Sequence, residues 1–335
     1  LRVFGPRKNA AIIEGSKAFS KDLMKKYDIP TAAYENFDNP EDALAYLETA
    51  EFPIVLKADG LALGKGVLIC NTLEEAKEGV KTLMLDKQFG SAGDRIVIEE
   101  FMTGREVSVL CFCDGKNIKT MTSAQDHKRA KDGDQGLNTG GMGTFSPSPF
   151  YTEEIDAFCK KEIYQKTMDA MAAEGRSFVG VLFCGLMITP KGVKVLEYNA
   201  RFGDPETQVV LPLLESDLLT VMQACTNGTL AETEVKFAEQ HACCVILASN
   251  GYPTSYKKGF EMSFTDEALA ATFIAGAKLE NGKLVTSGGR VTGTTAISDS
   301  LEEAIKEAYR LSDGVKFEGA YRRSDIGQRA LLAVK

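Results

Sequence analysis

The chain has 335 residues, of which 44% are hydrophobic and 26% are charged, a composition of folded globular domains that excludes disordered and collagen-like proteins. At about 100–200 residues per domain, this length favours two or three domains. The 47 acidic and 39 basic residues give a net charge of −8, which argues against nucleic acid and anionic membranes as partners, because both bind basic protein faces. Small anionic ligands remain compatible with this charge.

The sequence also lacks the features of membrane and secreted proteins. No apolar run approaches the roughly 20 residues of a membrane span, and the first residues lack the apolar segment of a secretory signal. The eight cysteines lack zinc-ligand spacing with histidines nearby. We therefore expect buried free thiols in a protein of the reducing cytoplasm.

The first third of the chain has the pattern of a small α/β unit. A helix is expected from an N-cap at Ser16 to Tyr27, because a proline follows shortly. Strands are expected at residues 53–58 and Val67–Cys70, with a glycine-rich loop between them, and a capping box at Thr72 begins the next helix. Residues 1–30 are then a connector and helix, and residues 31–98 a small lobe.

The middle of the chain predicts antiparallel sheet and one long helix. The expected strands are residues 95–99, 106–113, 117–122, 178–188 and 193–199. A polar, glycine-rich loop is expected over residues 125–149, before a helix over about 152–173. A helix at about 217–226 completes this lobe, which we take as residues 99–235. We expect residues 236–335 to form a smaller domain, with strands at 242–248 and 290–296 and a helix that begins at Ser300.

Lys57 and the loop after it suggest a phosphate site. An unpaired ammonium is costly to bury on an apolar strand, so Lys57 requires an anion, and we favour a phosphate over a protein carboxylate. Gly64, Lys65 and Gly66 belong to a loop that lacks the spacing of a Walker A motif but whose N–H groups could cover phosphate oxygens. Lys17 is a weaker candidate, since a lysine in a first helical turn is usually solvated.

The strand that ends near residue 100 suggests a site for a nucleoside. Glu99, Glu100, Phe101 and Met102 lead out of this strand into a bend, where backbone groups could meet the edge of a purine. Glu106 follows the bend, and a carboxylate there could accept hydrogen bonds from both ribose hydroxyls. Taken singly, acidic residues in such a position are usually only solvated.

The strongest local pattern lies at residues 194–206. Glu197 and Asn199 are two apart in a strand and share a face, and their oxygens suit Mg²⁺ that carries nucleotide phosphates. Arg201 follows in phase if the strand continues, and could hold an anionic transition state. We take Arg201 and Asp204 as candidate catalytic residues. An edge strand with a polar face would explain the alternation but not the density of functional groups.

The two ends of the polar loop carry a further set of functional groups. Asp126 and Lys128 are candidate catalytic residues, and Arg129 and Asn138 are candidate ligand-binding residues, because a carboxylate, cations and bare backbone amides could seat a small zwitterion and phosphates. His127 is a poor catalytic candidate, since no serine or cysteine nucleophile accompanies it.

Together these motifs resemble the glycinamide ribonucleotide synthetase family of ATP-grasp ligases. The resemblance covers essentially the whole chain and rests on residues 15–19, 57–62, 64–66, 125–129, 138–143, 201–206 and 323–327. It implies an α/β (α+β) ATP-grasp fold of two α/β lobes followed by a smaller, mixed, β-rich C-terminal domain. It also implies an N-terminal domain, which we expect to precede Leu1.

The resemblance implies a reaction and assigns roles to the candidate residues. ATP would phosphorylate the carboxylate of glycine, and the amine of phosphoribosylamine would attack the resulting glycyl phosphate, giving glycinamide ribonucleotide, ADP and phosphate in purine biosynthesis. The implied ligands are phosphates at Lys17 and Lys57, adenine at residues 99–102, ribose at Glu106, and Mg²⁺ or Mn²⁺ at Glu197 and Asn199. We expect a monomer.

Two departures and two alternatives accompany this resemblance. Residues 183–187 lack the additional metal carboxylate common in ATP-grasp enzymes, which bears on the number of metal ions and not on the family, and Leu137 replaces an expected proline, which we take as a local change. Another ATP-grasp carboxylate–amine ligase or carboxylase would share Lys57 and Glu197, although the motifs at 125–129 and 138–143 argue against it. The chain could also be an inactive nucleotide-binding fragment.

Overall fold

A computed structural model describes residues 2–60 and 66–334 of the chain. Its small sheet has four antiparallel strands in the order Tyr34–Phe37, Ile96–Glu100, Ile54–Ala58 and Val67–Cys70. Helices Pro40–Leu47 and Leu73–Val80 enclose its apolar core. The strands predicted on either side of the glycine-rich loop are confirmed.

The helix Lys17–Lys26 begins as predicted, with the Ser16 side chain accepting a hydrogen bond from the backbone of Phe19 at 3.0 Å. A short helix, Ile12–Gly15, precedes it. Leu23 and Met24 of the longer helix pack into the core of the central sheet. The helix is thereby fixed against the central sheet.

The central sheet has four antiparallel strands in the order Gly192–Asn199, Val179–Thr189, Arg105–Asp114 and Ile118–Thr120. Leu182 and Cys184 belong to one buried core, and Val181 and Phe183 to another. The strand is therefore buried on both faces, which explains its continuous apolar sequence.

Helical segments cover both faces of this central sheet. The helix predicted over 152–173 starts at an N-cap on Thr152 and consists of Glu153–Cys159, a π-helical segment Lys160–Gln165, and Lys166–Ala173. The predicted helix near 217–226 is Leu218–Asn227, capped by Asp217. Both predictions are confirmed apart from the π segment, which no sequence signal indicated.

The third sheet joins the C-terminal part of the chain to the middle. Its strands are Thr272–Ile274, Arg290–Ser298, His241–Ser249, Gly143–Ser146 and Gln125–Asp126 in that order, and Ala320–Tyr321 also pairs with His241–Ser249. The helix Leu301–Ser312 begins at Ser300 as predicted and packs on this sheet. The sheet therefore crosses the expected boundary near residue 235.

The prediction of a loop over residues 125–149 is wrong. This stretch contains the strands Gln125–Asp126, Arg129–Lys131, Gln135–Asn138 and Gly143–Ser146. Each has only two to four residues, and Gly143–Ser146 pairs both with Gln125–Asp126 and with His241–Ser249, which lies far along the chain. Such short strands show no alternation of apolar and polar residues that could have revealed them.

The remaining elements are short. Three two-stranded ladders pair Arg129–Lys131 with Gln135–Asn138, Ser263–Phe264 with Val315–Lys316, and Ala277–Glu280 with Lys283–Thr286. The other helical segments are Lys81–Leu85, Gly90–Gly93, Asp132–Asp134, Thr207–Val210, Leu211–Leu213, Leu230–Glu232, Asp266–Ala270 and Gln328–Val334. All eight cysteines are buried free thiols, as expected. Among the described helices, none has both the length and the apolar character to cross a bilayer.

Candidate active site

Lys57 lies in a buried ion-pair cluster between the two lobes. Its Nζ is 3.0 Å from Oε2 of Glu99, and Nζ of Lys21 is 3.2 Å from the same oxygen. Burial lowers the pKa of Lys21 to about 8, against the opposing charge of Glu99. The structure therefore pairs Lys57 with a protein carboxylate. From the sequence, a phosphate had been the favoured partner. Oε1 of Glu99 is buried and has no hydrogen-bond partner among the described residues.

Lys17 is held at the start of the glycine-rich loop. Its Nζ donates to the backbone carbonyls of Ala58 and Gly60 at 2.9 and 3.1 Å. Burial lowers the pKa of Lys17, while the negative charge of Glu197 opposes this change. Lys17 is therefore partly buried and oriented, unlike the solvated lysine expected by default.

Only part of the glycine-rich loop can be placed. Gly64 and Lys65 lie outside the described residues. Gly66 lies at the base of the loop, where its carbonyl accepts a hydrogen bond from the backbone N–H of Ala58 at 2.8 Å. This bond extends the pairing of the two strands up to the loop.

The segment after Glu99 connects the small sheet to the central sheet. Glu100 accepts hydrogen bonds from Nζ of Lys194 at 2.5 Å and from the backbone of Ala33 at 3.1 Å, and the bond from Lys194 lowers its pKa. Phe101 is 37% exposed. The backbone groups of Phe101 and Met102 make no backbone hydrogen bonds with described residues. They remain available to a ligand, whereas the Glu100 side chain is already bound.

Glu197 and Asn199 share a face, as predicted, despite a bulge in their strand. Val195 and Glu197 pair with consecutive residues of the neighbouring strand, which leaves Leu196 without a partner. The bulge changes the phase of the strand, so that Val195 and Tyr198 both lie in the core. It also turns the Leu196 carbonyl to Lys57, whose Nζ donates to it at 3.3 Å.

The same two side chains fit a cation that is shared with a phosphate. Glu197 is exposed and its carboxylate bonds to none of the described residues. Nδ2 of Asn199 donates to Glu14 at 3.3 Å, which leaves Oδ1 of the amide as a ligand. The described residues contain no group of three or more His, Cys, Asp and Glu that could hold a metal ion alone. Two hard oxygens without a third protein carboxylate suit Mg²⁺ that keeps phosphate and water ligands.

Arg201 does not continue the strand in phase, because the strand ends at Asn199. Its exposed guanidinium lies beside Glu14, with 3.2 Å between Nε and Oε1. Glu14 was missed in the sequence, although it directly precedes the motif at residues 15–19. Its position there was the only available signal, since its partners lie far along the chain.

A second group of charges lies beside the strand Gly192–Asn199, which we call the metal strand after the cation site predicted on it. Nζ of Lys128 is 2.5 Å from Oδ2 of Asp126 and 3.8 Å from Oε1 of Glu206. Desolvation alone would lower the pKa of Lys128, but these two carboxylates outweigh it and raise the pKa. Glu206 is buried, accepts a hydrogen bond from Ser108 at 3.1 Å, and has a pKa raised by burial. The sequence motif contained Glu206, yet we did not single it out.

Glu106 connects the two groups electrostatically. The protein around this carboxylate displaces water and raises its pKa, an effect that Lys128 opposes and that the charges of Asp126 and Glu197 strengthen. Glu197 also acts on Lys17 and Lys128, and Lys57 acts on Glu106, so predicted phosphate, ribose, metal and catalytic residues are linked electrostatically through Glu106 and Glu197. We call Lys17, Lys57, Glu106, Asp126, Lys128 and Glu197 the charged cluster.

Asp204 is bound by an arginine of the third sheet. Arg290 places NH2 3.1 Å from Oδ2 of Asp204, and its NH1 donates to the carbonyls of Asp204 and Gly140 at 3.2 and 3.0 Å. Arg290 was not predicted as a site residue, because no local motif surrounds it. The C-terminal part of the chain thus fixes two segments that border the charged cluster.

Arg129 and Asn138 face each other across a two-stranded ladder, and Asn138 is exposed. The ladder is held by Arg323, which is fully buried. Arg323 forms two hydrogen bonds of 2.7 Å to Asp325, and its NH1 donates to Asp134 and to the carbonyl of Arg129 at 2.9 and 3.0 Å. The motif at residues 323–327 therefore positions the candidate ligand-binding residues of the ladder.

Two family profiles match the chain. The ATP-grasp (A) domain of phosphoribosylglycinamide synthetase matches residues 15–207, which include every member of the charged cluster, and the C domain of the same enzyme matches residues 242–329. The chain belongs to the phosphoribosylglycinamide synthetase family. The predicted family, the ATP-grasp fold and the class of carbon–nitrogen ligase are thereby confirmed.

Relatives of this family match nearly the whole chain. The bifunctional purine biosynthetic protein of Pichia angusta is 52% identical over 332 residues, which are 98% of this chain; the chain spans 42% of that protein. The phosphoribosylamine–glycine ligase of Clostridium acetobutylicum is 48% identical over 328 residues, 98% of this chain and 79% of that enzyme. The crystal structure of the phosphoribosylamine–glycine ligase of Thermotoga maritima has a TM-score of 0.89 and 38% identity, and the match covers 97% of this chain and 81% of that one.

Proposed function

We propose that this chain carries the site for the ATP-dependent ligation of glycine to phosphoribosylamine, which forms glycinamide ribonucleotide, ADP and phosphate. The observation that carries the proposal is the charged cluster, in which Lys128 is paired with Asp126, the charges of Lys57, Asp126 and Lys128 act on Glu106, and the charge of Glu197 acts on Lys17, Lys128 and Glu106. Such an arrangement suits phosphoryl transfer, which requires positioning and charge neutralisation more than a covalent nucleophile.

The nucleotide would bind between the small and central sheets. Lys17, which donates to the carbonyls of Ala58 and Gly60, and Lys57, on the strand that leads into the glycine-rich loop, would contact phosphate oxygens. The free backbone groups of Phe101 and Met102 would meet the adenine edge, and Glu106 would accept hydrogen bonds from the ribose hydroxyls. Glu197 and Asn199 would hold Mg²⁺ or Mn²⁺, which when bound neutralises phosphate charge.

Glycine would bind beside this nucleotide. Asp126 and Lys128 present opposite charges to its ammonium and carboxylate groups, and Arg201 would face the negative charge of the phosphoryl group. A carboxylate oxygen of glycine bonds to the γ-phosphorus while the bond to ADP breaks. The amine of phosphoribosylamine then bonds to the carbonyl carbon, phosphate leaves, and the amine loses a proton to solvent.

Trapping of the acyl phosphate tests this function without the second substrate. The chain is incubated with ATP, Mg²⁺, glycine and hydroxylamine, and we expect ADP and glycine hydroxamate in equal amounts. Alanine and bicarbonate in place of glycine should give neither product. ATP binding without ADP release would identify a nucleotide-binding fragment, and turnover with bicarbonate would identify a carboxylase. The monomeric state and the cytoplasmic location stay predictions, for which sedimentation and fractionation are the tests.

A further inference from the structure

The carboxylate of Glu14 accepts from three consecutive residues at the end of the metal strand. Its Oε1 lies 3.3 Å from Nδ2 of Asn199 and 3.2 Å from Nε of Arg201, and its Oε2 accepts from the backbone N–H of Ala200 at 2.8 Å. The Glu14 side chain is only 18% exposed. It comes from the short helix Ile12–Gly15, more than 180 residues earlier in the chain.

These contacts decide which way the Asn199 amide points. An ionised carboxylate has acceptors only, so Asn199 must turn its NH2 group to Glu14 and its carbonyl oxygen away from it. The carbonyl oxygen is the atom that can bind a hard cation. Glu197, two residues earlier on the same face, presents the other oxygen ligand.

The same carboxylate fixes the backbone beyond Asn199. The strand ends there, and the bond from the N–H of Ala200 to Glu14 replaces the next pair of the ladder. The ion pair with Arg201 then holds an exposed cation at this end of the strand. One side chain therefore orients an amide, a backbone turn and a guanidinium.

We propose that Glu14 is a positioning residue, which orients the Asn199 carbonyl oxygen toward the nucleotide-bound cation and holds Arg201 at the end of the metal strand. The proposal rests on the proposed function, because it assumes that Glu197 and Asn199 bind a cation with ATP. Glu14 itself acts through Asn199 and Arg201. Residues that orient metal ligands in this way affect metal binding more than folding.

The variant Glu14→Gln tests the orientation with little change in size. Its single carbonyl oxygen cannot replace both carboxylate oxygens, so its NH2 group faces either the backbone N–H of Ala200 or the two donors of Asn199 and Arg201. Either conflict disturbs Asn199, directly or through the neighbouring backbone, and turns its carbonyl oxygen away from the cation. Mg²⁺ should increase the affinity for a non-hydrolysable ATP analogue, which calorimetry measures. We expect the Mg²⁺ concentration that gives half of this increase to rise about 10- to 100-fold in the variant. Affinity for the analogue without Mg²⁺ should stay that of the wild type.

A second variant, Glu14→Asp, keeps the acceptors and should restore much of the metal response, and it also serves if Glu14→Gln does not fold. Glu174→Gln is the matched control, because Glu174 is 28% exposed and accepts from Lys26 and Tyr27. It should leave the Mg²⁺ requirement unchanged.

A double-variant cycle separates orientation from general structural damage. In an Asn199→Ala background, Glu14→Gln should raise the Mg²⁺ requirement no further, because the amide to be oriented is absent. A normal requirement in folded Glu14→Gln, or an additive effect in the double variant, would overturn the proposal. If the wild-type chain bound the analogue without any response to Mg²⁺, the proposed function itself would be overturned, and this proposal with it.

Discussion

Nε2 of His127 accepts a hydrogen bond from the backbone N–H of Gly327 at 3.2 Å, a contact between residues 200 positions apart. The other ring nitrogen, Nδ1, lies 3.1 Å from the carbonyl oxygen of Gly143. A carbonyl can only accept, so Nδ1 carries the proton and the ring is neutral. His127 is therefore a structural residue that joins the motif at residues 125–129 to the end of the chain.

The neutral ring predicts a stability that depends on pH. Burial lowers the pKa of His127 to about 4, and the charge of Arg323 contributes. In the unfolded chain the pKa is about 6.5, so between these values the unfolded state binds the proton and the folded state does not. This stabilisation is fully present above pH 6.5 and is lost as the pH falls toward 4, amounting to about 3 kcal/mol.

Denaturant unfolding between pH 7 and pH 4.5 measures this dependence. His127→Gln should show a clearly smaller decrease in the free energy of unfolding over this range than the wild type. The comparison variant is His241→Gln, because the chain has two histidines and burial also lowers the pKa of the partly buried His241, so this variant should reduce the slope less than His127→Gln does. Equal slopes in the wild type and in His127→Gln would show that folding does not lower the pKa of His127.

Arg323 should be a major determinant of stability. Replacement by alanine leaves Asp325 and Asp134 without this buried cation. Because both carboxylates are partly exposed and Arg329 remains beside Asp134, the loss of stability should lie below the value of about 3–5 kcal/mol for a fully buried ion pair. Hydrogen exchange over residues 129–138 should accelerate, because the ladder loses its bond to Arg323. Arg323→Lys keeps the charge without the two-pronged geometry and should give an intermediate result. Unchanged exchange would mean that the ladder is stable without Arg323.

Lys57 and Lys21 share one carboxylate oxygen, so paired variants separate an ion-pair role from a nucleotide-binding role. Lys57→Met and Lys21→Met each remove one cation from Glu99 and fill its space with an apolar chain. If Lys57 contacts phosphate, Lys57→Met should weaken ATP binding at least about tenfold, about 1.4 kcal/mol, and Lys21→Met much less. Calorimetry with ATP measures both affinities. Equal losses would assign Lys57 to the ion pair alone.

Features that follow from local periodicity, such as the face shared by two side chains, could be predicted from the sequence. Features that follow from the register between strands could not. The shared face of Glu197 and Asn199 follows from the two-residue repeat of a strand, and the structure keeps it. The bulge at Leu196 could not be predicted, because it arises from pairing with a strand whose register the sequence does not reveal. Glu99 was likewise assigned to adenine, since only the pairing of two strands shows that Lys57 lies beside it.

Residues that act across the chain were missed for a related reason. Glu14 and Arg290 bind partners more than 80 positions away, and neither stands in a motif with an evident ligand role. The fold class was accessible because capped helices and apolar strands recur in a fixed order. The supporting contacts of the site were not, because they form only when the sheets assemble.

Gly141 tests whether Asp126 must keep its observed position. Gly141 has a φ of +118°, and a Cβ atom there would lie 2.6 Å from Oδ1 of Asp126 and 2.5 Å from Cδ of Pro205. Gly141→Ala should therefore displace Asp126 and reduce glycine hydroxamate formation at least about tenfold, while ATP affinity stays near that of the wild type. Gly133→Ala is the matched control, because Gly133 has a φ of +65° but nothing within 4 Å of the added atom. The Gly133→Ala variant has the strain of a positive φ, but its added methyl group meets no other atom. It should therefore lower stability and leave hydroxamate formation unchanged. Normal hydroxamate formation by Gly141→Ala would show that the position of Asp126 does not limit glycine activation.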